Sequence, residues 1–346
     1  MTGQPIAFFD GHNDTLLRRY RADERSPLPF LHGSPDDIDL PRARQGNFVG
    51  GLFACFVPND PELSYDETDD FVLPPAPRLG YAQHFTIGTM AMLFRIEAES
   101  QGAVRVVRDT ASLDAALNTG ALAAVLHIEG ADAIDAELDA LEVFYQAGLR
   151  SLGIVWSRPN AFGTGVPFAF PHGPDTGPGL TDAGIALVRA CEEHRILIDL
   201  SHLNEQGFWD VAKTARAPLL ATHSNAHAIC PSPRNLTDRQ LDAVRDSGGM
   251  VGVNFHVGFL RPDGARESAT SLDIVVDHVD HLVAKLGIDH VGLGSDYDGA
   301  RMPNDIATVD KLPALAAALR ARGYDDAALR KIASENWLRL LRTTWA

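Results

Sequence analysis

Two residues of types that commonly bind divalent metals stand two positions apart near the amino terminus, in the segment IAFFDGHNDTLL. His12 and Asp14 follow the short apolar run 6–9, which predicts a buried strand that ends at Gly11. Residues two apart in extended backbone project to the same side, so this imidazole and this carboxylate could hold one ion together. Alternatively, His12 forms a local hydrogen bond and Asp14 caps the following helix. On its own, the pair indicates no more than half of a metal site.

The elements that would position such a pair alternate along the chain. Eight apolar segments predict strands: 6–9, 50–57, 122–128, 151–155, 196–200, 219–222, 250–255 and 290–294. Helical patterns occupy 82–100, 112–118, 134–146, 181–194, 205–214, 236–247, 272–286, 311–322 and 325–341. This alternation predicts an α/β fold, a (β/α)8 TIM barrel, with residues 1–346 forming a single catalytic domain.

Other segments lack the pattern of a barrel strand or helix. A short extra strand is predicted at 104–107, whereas 18–48 and 58–78 are predicted to be irregular. The segment at about 157–180 is rich in Gly and Pro and also predicts an irregular insertion. Because structureless segments of this length are usually functional, we expect the 157–180 insertion to lie at the active site.

Barrel active sites lie at the carboxyl ends of the strands, so polar residues that follow the predicted strands are candidates for chemistry. Besides His12 and Asp14, this criterion selects four residues: Glu129, His202, His223 and Asp296. Imidazoles and carboxylates contributed by different strands suit two divalent ions such as Zn²⁺.

The division of the ligands follows from their order along the chain. We expect His12 and Asp14 to hold one ion, the two later histidines to hold the other, and Glu129 to bridge them. Two ions about 3.5–4 Å apart can share and deprotonate a water molecule. Asp296 would then take a proton from that hydroxide and deliver it to a leaving amine.

Each of the later residues also has a structural interpretation. Glu129 could stabilise the amino terminus of the following helix, and Asp296 could be a turn residue. Each histidine, taken alone, could be a hydrogen-bonded residue of the core. Six metal-compatible residues at strand ends in barrel order are nevertheless difficult to attribute to chance, so the sequence favours the metal site.

Composition restricts the classes of function. The chain has 346 residues, 45% hydrophobic and 22% charged, which is typical of a globular protein with a large core. A formal net charge of −16 argues against binding to nucleic acids or to anionic membrane surfaces. No dinucleotide-binding glycine motif, P-loop or Gly-x-Ser-x-Gly elbow supports other common enzyme chemistries.

The cysteines and the amino terminus suggest a compartment. Cys55, Cys191 and Cys230 are widely separated and form no CxxC pair, which favours a reducing environment over a disulfide framework. The amino-terminal sequence lacks the regions of a signal peptide, and no stretch of about 18 apolar residues could span a bilayer. We therefore expect a cytoplasmic protein.

Several segments resemble, in the same order, motifs of the renal (membrane) dipeptidase family of the amidohydrolase superfamily: DGHND, HIEGAD, LIDLSH, ATHSNAHAI followed by PRNLTD, HVGLGSDYDG and ENWLRLL. The resemblance implies a TIM barrel of the metal-dependent amidohydrolase type and two zinc ions per chain. It implies the same five ligands and the same acid/base, Asp296, that the strand ends indicate. A homodimer is a further implication.

The resemblance also implies that Arg234, in PRNLTD, binds the substrate carboxylate. A guanidinium suits this role because it can form two parallel hydrogen bonds with a carboxylate. Without the resemblance, Arg234 would be interpreted as a surface residue beside a proline turn.

The sequence departs from the family after the fourth predicted strand. Mammalian members have a histidine there, proposed to help hold the tetrahedral intermediate, whereas this chain has Trp156. Tryptophan has one N–H donor and cannot become cationic. Oxyanion stabilisation would then depend on the metals, or on another residue such as Asn160 or His172. We expect Trp156 and Asn160 to belong, with Arg234, to the substrate-binding residues.

Motifs and resemblance together predict a binuclear zinc dipeptidase in which a metal-bridging hydroxide attacks the peptide bond of a dipeptide. The resemblance suggests that a D-residue is tolerated at the second position. One alternative is an amidohydrolase that acts on N-acyl amino acids or lactams. Another is a non-catalytic barrel that only binds metal.

Overall fold

A closed barrel of parallel strands forms the centre of the protein, whose computed structural model describes residues 5–22 and 25–346. The strands are β1 (Phe8–Asn13), β2 (Phe48–Phe56), β3 (Val104–Val106), β4 (Leu122–Glu129), β5 (Leu149–Gly153), β6 (Leu197–Asp199), β7 (Leu220–Ala221), β8 (Met250–Val253) and β9 (Val291–Leu293). Neighbouring strands pair in the order β2-β1-β9-β8-β7-β6-β5-β4, and β2 also pairs with β4, which closes an eight-stranded ring. The predicted (β/α)8 TIM barrel is confirmed.

The short β3 strand lies outside this ring. It pairs with residues 122–124 of β4, whereas β5 pairs with residues 126–129 of the same strand. The extra strand predicted at 104–107 is therefore present, as an addition to the amino-terminal end of β4.

Helices surround the barrel: α1 (Thr15–Arg21), α2 (Leu28–His32), α3 (Leu40–Gln45), α4 (Leu79–Glu99), α5 (Thr110–Thr119), α6 (Asp139–Ala147), α7 (Asp182–Glu193), α8 (Glu205–Thr214), α9 (Asp238–Asp246), α10 (Val257–Leu260), α11 (Leu272–Leu286), α12 (Leu312–Arg322), α13 (Asp326–Arg330) and α14 (Asn336–Trp345). A π-helical segment, Lys331–Glu335, joins the last two. Within the described residues, no helix combines the length and apolar character needed to cross a bilayer. Cys55, Cys191 and Cys230 are buried and unpaired.

The sequence predicted α8 and α11 to the residue, but the loop predicted at 18–48 is wrong in part. Residues of this segment form the end of α1 and the short helices α2 and α3. Asp39 caps α3 by accepting a hydrogen bond from the Arg42 backbone N–H at 2.9 Å, and Pro41 stands in the first turn. The segments 58–78 and 157–180 contain no helix or regular strand, as predicted.

The first strand continues beyond the predicted end at Gly11. A β-carbon at Gly11 would lie 2.3 Å from Trp337 and 2.5 Å from the carbonyl oxygen of Thr222, so only glycine fits within this strand. Pairing with β2 shifts register between Asp10 and Asn13. The glycine therefore marks close packing inside the barrel, and β1 carries His12 as a strand residue.

Alternation along β4 shows how the barrel delivers polar residues to its mouth. Leu122, Ala124, Leu126 and Ile128 belong to the apolar layer shared with the helices. Ala123 and Val125 face inward and pack with apolar residues of other strands, including Phe9, Leu52 and Met250. The next inward positions are His127 and Glu129, because side chains two apart share a face of the strand. The inward side of β4 thus changes from apolar to polar at its carboxyl end.

Candidate active site

The carboxyl ends of the strands surround a cavity of about 680 Å³, within the range of small-molecule sites. Four predicted site residues from different strand ends line it: Asp14, Glu129, His202 and Asp296. The other two of the six, His12 and His223, are fully buried beside them. The barrel therefore brings together all six residues selected at the strand ends.

Glu129, the last residue of β4, stands between two groups of ligand atoms. Its Oε1 atom is 3.0 Å from His202 Nε2 and 3.4 Å from His223 Nε2. Its Oε2 atom is 3.6 Å from His12 Nε2, which is also 3.6 Å from Asp14 Oδ2. One carboxylate thus presents each oxygen to a different group, which is the geometry required of a bridging ligand.

The residues present fit two divalent metal ions. Both ring nitrogens of His12 and the Oδ1 atom of Asp14 are buried without a hydrogen-bond partner in the described part of the chain. Buried polar atoms without partners are destabilising, so these atoms favour an additional bound species. Two sets, His12–Asp14–Glu129 and Glu129–His202–His223, each bring their ligand atoms within 4.8 Å of one another. Imidazole nitrogen and carboxylate oxygen are donors that Zn²⁺ accepts.

Two of the histidines are held in the neutral state that metal binding requires. Burial, and then the positive charge of Arg234, lowers the pKa of His202 to about 3. Burial is also the main reason why the pKa of His223 lies below its usual value. Both imidazoles therefore keep a ring-nitrogen lone pair at physiological pH.

A hydrogen-bonded chain fixes the tautomer of His223. The Thr222 hydroxyl donates to Asp199 Oδ2 at 2.6 Å, so its oxygen is left to accept from His223 Nδ1, which lies 2.8 Å away. With the proton on Nδ1, the Nε2 lone pair faces Glu129. Such partners orient metal-binding histidines and raise their basicity. His202 has a comparable partner, because its Nδ1 lies 2.8 Å from the Ser157 hydroxyl.

Asp296 is held rigidly at the end of β9. Its backbone is in the left-handed region, with φ of 65°, and its N–H donates to the His12 carbonyl at 3.0 Å. Its carboxylate comes within 4.8 Å of ring nitrogens of His12 and His223. Burial raises the pKa of Asp296, but electrostatic interaction with the His223 and His12 side chains lowers it, and the result lies below the usual value. The carboxylate is therefore ionised and able to accept a proton.

Sequence reasoning missed the residue that orients Asp296. Asn254 follows β8 and donates from Nδ2 to Asp296 Oδ2 at 2.9 Å. It is held by Asn225, which accepts from the Asn254 backbone N–H at 3.1 Å and donates to its carbonyl at 2.9 Å. Asn254 lay inside the strand predicted at 250–255, whereas the observed strand ends at Val253, so the available signal was a polar residue within an otherwise apolar run.

Arg234 is buried beside the histidines, contrary to the surface interpretation. It is 2% exposed, donates to the His223 carbonyl at 3.0 Å and lies 5.2 Å from the centre of the Phe259 ring. Its Nε–H is buried without a partner in the part of the chain that the structure describes. Burial lowers the pKa of Arg234 from its usual value, although the neighbouring carboxylates oppose this effect. A buried guanidinium with an unused donor can bind an anion.

Of the two remaining predicted substrate-binding residues, only Trp156 lines the cavity. Trp156 lines the cavity, where its ring lies 5.1 Å from Phe56, 5.6 Å from Phe168 and 5.9 Å from His202, centre to centre. Asn160 does not line it: Nδ2 donates to the Ile154 carbonyl at 2.8 Å and Oδ1 accepts from backbone N–H groups of its own loop. Its amide organises the insertion instead. His172 also lies outside the lining residues.

Comparison with known proteins yields one family. The family model described as membrane dipeptidase (peptidase family M19) matches residues 3–345. A protein of Klebsiella pneumoniae described as uncharacterized, in the pqqA 5′ region, is 50% identical over 256 residues, which cover 74% of this chain and 94% of that protein.

Two solved structures share both fold and sequence with this chain. One is a metallo peptidase from Rhodobacter sphaeroides, bound to a phosphinate mimic of the dipeptide L-Ala-D-Ala. It is 49% identical, with a TM-score of 0.94 over 99% of this chain and 100% of that one. The other is the dipeptidase AC, a metallo peptidase of family M19, which is 50% identical with a TM-score of 0.94 over 99% of both chains.

Proposed function

The chain belongs to the membrane dipeptidase family, peptidase family M19, and we propose that it hydrolyses dipeptides at a binuclear zinc centre. The proposed ligands are His12, Asp14, Glu129, His202 and His223. The observation that carries the proposal is the position of Glu129, whose two carboxylate oxygens face separate groups of ligand atoms. A single-metal site would not require this division.

Protein side chains are proposed to transfer protons and to orient the group that transfers them. When bound, the two zinc ions would supply Lewis acidity, which polarises the scissile carbonyl and lowers the pKa of water. Asp296 accepts the proton of the attacking water and then donates it to the leaving amine, acting first as a base and then as an acid. Asn254 holds the Asp296 carboxylate in position for both transfers.

Arg234 is proposed to bind the carboxylate of the second residue. Its unused Nε–H, buried beside the histidines, is a donor that a substrate carboxylate could satisfy. Holding this group fixes the peptide bond relative to the reacting atoms. The bound L-Ala-D-Ala mimic in the Rhodobacter sphaeroides relative supports a dipeptide substrate, with a D-residue accepted at the second position.

Trp156 is proposed to form an apolar wall of the substrate site, together with Phe56 and Phe168. These three rings lie next to His202 and Glu129 in the cavity lining. Their surface suits a small aliphatic side chain of the substrate. Asn160 is not included in this proposal, because both ends of its amide serve the backbone of the insertion.

The proposal is tested by metal analysis and a matched substrate panel. We expect about two zinc ions per chain, and hydrolysis of L-Ala-D-Ala by the loaded enzyme. N-acetyl-D-alanine and a simple lactam serve as competing substrates. Faster hydrolysis of either would support the alternative of an N-acyl amino acid or lactam hydrolase. A fully active enzyme containing one metal ion per chain would refute the bridging role of Glu129.

A further inference from the structure

Arginines line the outer part of the cavity, although the chain carries a net charge of −16. Arg18 and Arg21 belong to α1, and Arg266 lies in the segment between α10 and α11. None of the three has a proposed role in hydrolysis. Their side chains form part of the same wall as Asp14 and Asp296, so they face the volume that a substrate would occupy.

Two other carboxylates of the cavity lining, Asp298 and Asp36, already have partners. Asp298 accepts hydrogen bonds from the Thr15 hydroxyl at 2.7 Å and from the Asp37 backbone N–H at 2.8 Å. Asp36 forms an ion pair with the buried Arg19. These interactions leave neither carboxylate dependent on the arginines that line the cavity.

The three arginines, by contrast, have unused donors. Within residues 5–22 and 25–346, no carboxylate lies at ion-pair distance from Arg18, Arg21 or Arg266. The Arg18 Nε–H donates to the Asp298 carbonyl at 2.8 Å, an acceptor that carries no charge. Within the described residues, each of these guanidinium groups is therefore free to pair with an anionic group of a bound ligand.

Arg266 packs against the short segment that also contacts Arg234, the residue proposed to bind the substrate carboxylate. A β-carbon at Gly258 would be 3.1 Å from Arg266 Cγ and 3.1 Å from His256 Nε2, so Arg266 packs over this turn. The following residue, Phe259, carries the guanidinium of Arg234 over its ring. Arg234 and Arg266 thus approach the same short segment. A substrate residue whose main-chain carboxylate is bound by Arg234 would extend its side chain near Arg266.

We propose that the preferred dipeptides have an acidic second residue, and that Arg266 binds its side-chain carboxylate. Arg18 and Arg21 add positive potential at the entrance, which attracts anionic substrates. This inference rests on the proposed dipeptidase function and names its substrate class. The guanidinium–carboxylate pair is the chemical basis, because its charge-assisted, bidentate hydrogen bonds distinguish a carboxylate from an amide of equal size.

The test compares L-Ala-D-Glu with L-Ala-D-Gln, which differ only in the charge and donor pattern of one side chain. For the zinc-loaded enzyme, we expect kcat/KM to be at least about tenfold higher for L-Ala-D-Glu. In Arg266→Gln, this ratio should fall close to one, mainly through a higher KM for the acidic substrate. In Arg266→Glu, L-Ala-D-Lys should become better than L-Ala-D-Glu.

Arg261→Gln is the matched control, since Arg261 lies in the same segment but already pairs with Asp263 through two hydrogen bonds of 2.8 and 2.6 Å. This variant should keep the wild-type ratio. The double change Arg18→Gln with Arg21→Gln should lower the ratio less than Arg266→Gln does. It should also weaken the dependence of the ratio on salt concentration, because long-range attraction is screened by salt.

The outcomes separate this inference from the function on which it rests. Hydrolysis of L-Ala-D-Ala with a wild-type Glu/Gln ratio below about two would overturn the acidic preference and leave the dipeptidase proposal intact. An unchanged ratio in Arg266→Gln would overturn the role of that residue. No hydrolysis of any dipeptide by enzyme containing two zinc ions would overturn both proposals.

Discussion

Replacing Asp296 by asparagine separates proton transfer from metal binding. The amide has the same shape, and its oxygen can still accept the 2.9 Å hydrogen bond from Asn254, so the side chain should stay in place. The five proposed metal ligands are unchanged. The substitution removes the ability to accept and return a proton. General acid–base catalysis of this kind typically contributes about 10²–10⁴-fold to the rate. We therefore expect Asp296→Asn to reduce kcat by at least about 100-fold.

The assay measures L-Ala-D-Ala hydrolysis and metal content on the same preparation. Asp298→Asn is the control, because Asp298 lies in the same left-handed turn, with φ of 67°, but its carboxylate bonds to Thr15 and Asp37. It should retain most of the activity. Retention of more than about a tenth of kcat in Asp296→Asn would refute the acid/base role. Loss of a zinc ion from this variant would make Asp296 a ligand and refute the separation of roles.

Three further predictions test other parts of the site. Asn254→Ala removes a hydrogen-bond donor to ionised Asp296 and so raises the pKa of Asp296. The acidic limb of the pH profile of kcat/KM should therefore move to higher pH by about one unit. An acidic limb at the wild-type pH would contradict the orienting role of Asn254. Arg158, which is 0% exposed, forms a 3.1 Å ion pair with Asp132, and Arg158→Met leaves that carboxylate buried without a partner. Denaturant titration should show that the free energy of unfolding falls by about 3–5 kcal/mol. A decrease below about 1 kcal/mol would show that the ion pair is dispensable. Removal of zinc with a chelator should lower the melting temperature measured by calorimetry, because zinc at 100 times its Kd stabilises the folded state by about 2.7 kcal/mol. An unchanged melting temperature would argue against a preformed metal site.

The strand ends were predictable because each depends on a local pattern. An apolar run followed by a polar residue is visible without knowledge of the partner strands, and barrel closure then places all such residues at one mouth. Glu129 illustrates this: its place after LAAVLHI sufficed to select it, and alternation along β4 turns it inward with His127. The extent of β1 was less predictable, because Gly11 is required by Trp337, which lies more than 300 residues further along the chain.

Residues whose role depends on partners from several loops could not be assigned in this way. Arg158 and Asn160 are two apart in the same Gly- and Pro-rich insertion, and both are polar residues of a predicted active-site segment. The structure buries Arg158 against Asp132 and the Val57 carbonyl, so the insertion is tied to the ends of β4 and β2. The Asn160 side chain instead forms hydrogen bonds with backbone groups of its own loop, as asparagine side chains often do. The insertion therefore contributes to the site mainly by fixing its wall, with Phe168 as its residue in the cavity lining.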